Sequence, residues 1–165
     1  MKSAAVKACT VLLVLGLSAV FVPRIFSHCQ IPCGIYGDEM RFDMIEEHIT
    51  TIEKSMNQVM DLSQDAANNV NQLVRWVENK EDHANELSEI LTYYFMAQRV
   101  KPAEESDAEA YKDYTKKLVL LHKMQVAAMK CKQTTDLQHV KDLRDLLDKF
   151  WVAYFGPDKE RHSHH

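Results

Sequence analysis

The sequence predicts an all-α protein, an antiparallel up-down four-helix bundle carrying an irregular N-terminal arm. Three observations point there. Residues 38–155 contain no glycine and only one proline, Pro102, so the turns that strands and hairpins need at short intervals are missing. Apolar residues recur at steps of three and four through four successive segments. Breaks between those segments carry helix-start and helix-stop residues.

The elements follow in order. Residues 1–27 read as a removable leader: Lys2 and Lys7 precede the uncharged run "ACTVLLVLGLSAVFV", which is short for a membrane span. Ser27 is a suitably small residue for cleavage, whereas Ile25 fits poorly two places earlier, so a dedicated peptidase or a second trimming step is expected. The arm, residues 28–37, is kept out of helix by Pro32, Gly34 and Gly37. Residues 38–156 hold the bundle. Ile45, Ile49, Ile52, Met56 and Val59 make the first helical face, and Val70, Leu73, Val77, Ala84, Leu87, Leu91 and Tyr94 the second. Tyr111, Tyr114, Leu118, Leu121 and Ala128 make the third, and Leu137, Val140, Leu147, Trp151 and Tyr154 the fourth. Ser63 or Asp65 starts the second helix, "EESD" after Pro102 the third, and Thr134 or Thr135 the fourth, with Gly156-Pro157 as the final stop. Residues 157–165, a polar tail rich in histidine, are expected to be disordered.

Charge narrows the function classes. The whole chain has a formal charge of −4, and removing residues 1–27 takes away Lys2, Lys7 and Arg24 and no acid. What remains carries 17 basic and 24 acidic residues, a charge of −7. Nucleic acid and, after cleavage, anionic membrane are thereby excluded as expected partners, since both require a basic surface.

The arm, "HCQIPCGIYG", concentrates the chemistry. Cleavage after Ser27 would give His28 an α-amine beside its imidazole. Cys29 offers a thiolate and an amide nitrogen, and Cys33 a second thiolate four residues on, with Pro32 bending the chain between them. Two nitrogens and two sulfurs in a plane, with the ring as fifth donor, suit Ni(II) or Cu(II) rather than tetrahedral zinc. The α-amine, with an ordinary pKa of about 7.7–8.0, yields its proton to a metal readily. On residue types alone a second reading stays open: a non-catalytic exported bundle that binds a partner through a helix face, its N-terminus tidied by a Cys29–Cys33 disulfide. A di-iron bundle is not indicated, because Ile45, Lys80, Val119 and Asp136 stand where Glu-x-x-His would need glutamate before His48, His83, His122 and His139.

"HCQIPCGIY" resembles the metal hook of nickel superoxide dismutases, His-Cys-x-x-Pro-Cys-Gly-x-Tyr, matched at His28, Cys29, Pro32, Cys33, Gly34 and Tyr36. The resemblance extends over the mature chain, hook followed by helical bundle. It implies one nickel ion per subunit, bound by the His28 amine and ring, the Cys29 amide and the Cys29 and Cys33 thiolates. It also implies superoxide disproportionation through Ni(II)/Ni(III) cycling, Tyr36 as the catalytic residue that orders water and limits access to small anions, and a homohexamer. The family's carboxylate partner for the hook imidazole falls on Glu46 or Glu47, its basic companion on Lys80, and a tyrosine near the site on Tyr94. Cys131 is expected to be a thiol without a role. The leader implies export to a periplasmic or extracellular space after a processing peptidase has acted.

Overall fold

A computed structural model describes residues 37–160. Among these residues the chain is helical throughout, with no strand. Helix α1 spans Asp38–Ser63 and α2 Ala66–Glu89; α3 spans Ala108–Gln133 and α4 Gln138–Phe155. Helix α2 continues without a break into a wider, π-helical stretch, Ile90–Arg99. No helix among the described residues is long and apolar enough to cross a membrane. The hook, the leader and residues 161–165 lie outside the described residues.

Helix α1 packs chiefly on α2, and α3 on α4, giving two antiparallel hairpins joined across one core. Ile45, Ile49, Ile52 and Met56 are fully buried, as their spacing predicts, and they face Ala84, Leu87, Leu91, Leu121, Met124, Leu143 and Leu147. Phe42 is the hub of an aromatic cluster at one end. Its ring centroid lies 5.0 Å from Phe95, 5.3 Å from Phe150 and 5.0 Å from Trp151, edge-on to Phe95 and Trp151. These geometries suit the ring quadrupoles and add to the area each ring buries.

One helix start meets expectation and another departs from it. Helix α3 begins at Ala108, directly after the expected "EESD", and the Asp107 carboxylate that closes that stretch caps it by accepting a 3.1 Å hydrogen bond from the Ala110 N–H. At α4, Thr134 and Thr135 are not the N-cap; Leu137 is, and Asp136 accepts from the Gln138 N–H at 2.9 Å. Thr134 instead accepts from the Asp136 N–H at 3.3 Å, one step earlier in the same turn. Gly156 ends α4 with φ +96°, a left-handed conformation that glycine adopts without penalty.

The second apolar face is only half internal. Val70, Val74 and Val77 are 62%, 51% and 41% exposed. The Asn79 amide donates to Ser55 at 2.9 Å, and Lys80 reaches the loop after α3. From Asn79 down to Asp65 the α1–α2 hairpin therefore runs about 20 Å past the α3–α4 turn, and among the described residues nothing covers its valines.

Candidate functional site

The end of the bundle at which the hook joins is organised by one carboxylate. Asp38 opens α1, directly after Gly37, with Glu39 beside it in the first turn, where negative charge complements the helix dipole. Asp38 Oδ1 accepts from the Tyr94 hydroxyl at 2.6 Å and from Arg99 Nε at 2.7 Å, and Arg99 adds a second contact at 2.5 Å. Oδ2 accepts from the Tyr154 hydroxyl at 2.9 Å. One first-turn side chain thus ties α1 to the ends of α2 and α4.

The π-helical stretch makes this convergence geometrically available. Tyr94 and Arg99 are five residues apart, and in an α-helix such residues point about 140° away from each other. An i→i+5 repeat brings them back to one side. The wide register closes with the Val100 N–H donating to Phe95 O at 2.8 Å.

Electrostatics at this end follow from the same contacts. Burial alone would raise the Asp38 carboxyl, but hydrogen bonds from Tyr94, Arg99 and Tyr154 and the Arg99 charge outweigh it and hold the group below its usual range. Burial, then the hydrogen bond to Asp38, pushes both tyrosine hydroxyls up, so they remain donors. The Arg41 and Arg99 guanidinium groups lie 5.0 and 5.4 Å from the Tyr94 ring centroid. Lys117 stands 5.9 Å from the Tyr154 ring, and Lys159 sits over Phe155 at 4.2 Å while pairing with Glu39.

The residues predicted from sequence fall into three groups. His28, Cys29, Cys33 and Tyr36 lie outside the described residues. Tyr94 is at the hook end, bound to Asp38 as above. Glu46 and Glu47 are not in the first turn: Glu46 pairs with Arg144 Nε at 3.0 Å, and Glu47 is exposed. Lys80 points to the other end of the core, donating to Lys132 O at 2.6 Å and Thr134 O at 3.3 Å, and burial lowers its pKa. Cys131 is fully buried, its thiol pushed up to about 11, mainly by burial. Asp38 and Arg99 went unrecognised in the sequence. Periodicity places apolar residues and is silent on a carboxylate at a helix start whose partners come from two distant segments.

The family model for nickel-containing superoxide dismutases matches residues 23–158. That span includes the hook motif and all four helices. Among curated proteins and among solved structures, no match to the chain was found. A family match over most of the chain decides between an enzyme and a non-catalytic exported bundle. The chain belongs to the nickel-containing superoxide dismutase family, oxidoreductases that act on superoxide with nickel as cofactor.

Proposed function

We propose that His28, Cys29 and Cys33 are the nickel ligands of this superoxide dismutase, completed when removal of residues 1–27 frees the His28 amine. The observation that carries the reading is the complete motif, His28, Cys29, Pro32, Cys33, Gly34 and Tyr36, inside the matched span. The donor chemistry fits the metal: two anionic thiolates, an amide nitrogen and an amine favour a planar d8 ion such as Ni(II) and ease its oxidation. When bound, nickel supplies one-electron exchange between Ni(II) and Ni(III). Across the cycle two superoxide anions and two protons become one dioxygen and one hydrogen peroxide.

The chain's own residues set the conditions for that exchange. The Cys29 and Cys33 sulfurs serve as thiolates, and ligation shields them from the peroxide that oxidises free thiolates. Tyr36 orders water and admits small anions. Only Gly37 separates Tyr36 from Asp38, so the triply hydrogen-bonded start of α1 anchors the hook within about 7 Å of chain. Arg41, Arg99, Lys117 and Lys159 surround that anchor, offsetting Asp38, Glu39 and Asp113 locally although the chain as a whole is acidic. A local field of this kind favours approach of an anionic substrate.

The proposal extends to assembly and address. Six chains assembling into a hexamer would cover apolar surface left open among the described residues, and the Val70, Val74 and Val77 stripe supports this. The leader is removed by a processing peptidase during export to a periplasmic or extracellular space.

Mass spectrometry and metal analysis of the natural protein test the reading together with Cys29→Ser and Cys33→Ser. A chain beginning at His28 with one nickel, and loss of nickel and activity in either variant with helicity retained, are the expected results. Dismutase activity persisting in either serine variant would refute the ligand assignment.

A further inference from the structure

Midway along the α1–α2 hairpin, away from the hook end, three ligand-type atoms converge. His48 Nδ1 on α1 lies 2.8 Å from His83 Nδ1 on α2, and Glu86, one turn beyond His83, directs Oε2 to within 3.4 Å of the first nitrogen and 3.7 Å of the second. Two neutral imidazoles facing through these nitrogens share at most one proton between them. The carboxylate oxygen stands beyond ordinary hydrogen-bond length from either ring, yet it addresses the space between them.

The triangle these atoms form is the right size for a metal. Its sides give a circumradius of about 1.9 Å, so a point about 2.0–2.1 Å from all three corners, the usual zinc–nitrogen and zinc–oxygen length, sits about 0.7 Å outside its plane. That is the arrangement of three protein ligands around a tetrahedral ion with the fourth position open. His48 is buried and Glu86 is 58% exposed, so one side of the triangle is held by the core and the other faces solvent, which gives an ion a path in.

We propose that His48, His83 and Glu86 form a second metal site, separate from the hook, that takes a zinc-class divalent cation with water as its fourth ligand. Two imidazoles and one carboxylate suit zinc or cobalt, whereas the hook's thiolates and amide suit nickel, so the two sites differ in the metal they select. The site spans α1 and α2, and an ion held there stabilises the folded pair of helices by mass action. It does not depend on which residues of the hook hold nickel.

The test uses the full-length mature protein with its nickel in place, titrated with Co(II) and separately with Zn(II). The expected result is one further cobalt per chain, with the visible absorption of a tetrahedral ion and no thiolate-to-cobalt charge-transfer band, and a rise in Tm with zinc. His83→Ala should lose the added equivalent and the Tm rise, and Glu86→Gln should weaken binding at least tenfold, while dismutase activity stays unchanged in both. Circular dichroism verifies the fold of each variant; if His83→Ala fails to fold, the exposed Glu86→Gln decides alone. No added equivalent in the parent protein overturns the proposal. So does an equivalent that persists undiminished in the folded variants, which would place the ion elsewhere, for instance on His162, His164 or His165.

Discussion

Tyr154 reaches back across 116 residues to donate a 2.9 Å hydrogen bond to Asp38, joining the last turn of α4 to the first turn of α1. Since Tyr94 and Arg99 bind the other oxygen of the same carboxylate, the point at which the hook leaves the bundle is braced by three helices. The hook joined to this root spans ten residues. A rigid root reduces the space it must search when metal binds.

Replacing Asp38 with alanine removes the acceptor for two tyrosine hydroxyls and one guanidinium at once. Stability should fall by about 1–3 kcal/mol, the cost of leaving such groups unsatisfied. Urea unfolding measures that loss, and nickel retention during dialysis measures the effect on the hook. Asp38→Asn keeps an acceptor oxygen and should lie between alanine and the parent in both measurements. Equal nickel retention in all three proteins would separate the root from the hook.

The pH dependence of the same contact has a defined sign. The Asp38 pKa is lowered on folding, so its contribution is complete above the unfolded value of about 3.9 and disappears as pH falls through the lower, folded value. The Tm difference between the parent and Asp38→Asn should therefore be constant from neutral pH to about pH 5 and shrink below about pH 4. His48, whose pKa burial lowers, loses its contribution earlier, as pH falls below about 6.5. It does so in both proteins and cancels from the difference. A difference that faded near pH 6.5 would assign the effect to the wrong group.

Cys131 bears on how an enzyme that makes peroxide spares its own thiols. It is fully buried among core residues, and its thiol is pushed up to about 11, so almost none is thiolate near neutrality. Iodoacetamide should leave Cys131 unmodified in the native protein at pH 8 and alkylate it once the chain is unfolded. Rapid native labelling at this residue would contradict its burial in the core.

The four helices were legible in the sequence because glycine is absent from residues 38–155 and the apolar spacing is regular. The same regularity misled at Val70 and Val77. Periodicity identifies an apolar face and carries no information about which element, or which copy, covers it; here the α3–α4 hairpin stops short. The hook was legible as chemistry because its ligands are contiguous. Asp38, Tyr94, Arg99 and Tyr154 were not legible as a unit, because a π-helical register sets the pairing of Tyr94 with Arg99, and apolar periodicity does not register that change. The His48, His83 and Glu86 cluster escaped for a related reason: the expected order is Glu-x-x-His, whereas His83 precedes Glu86.

The aromatic cluster beneath the hook root offers a further measurement. Phe42 is fully buried and contacts Phe95, Phe150, Trp151, Tyr154 and Phe155, so Phe42→Ala should cost about 3–5 kcal/mol. A loss under about 1 kcal/mol would mean that the cluster collapses around the vacancy.

The His28 amine provides the sharpest distinction, because an extra residue changes one donor and leaves every side chain in place. A mature chain carrying one alanine before His28 keeps both thiolates and the imidazole but puts a peptide nitrogen where the amine belongs. That nitrogen holds its proton far more tightly than an amine of pKa about 7.7–8.0, so the plane loses a donor at neutral pH. Because the amine is itself a ligand, activity should fall by more than the roughly 10–100-fold that follows loss of an outer partner to a ligand. Helicity and Tm of the metal-free bundle should not change. Nickel content per chain, measured beside the dismutation rate, separates failure to bind from failure to turn over. An extended chain that held one nickel and worked at the parent rate would show that the amine is no ligand.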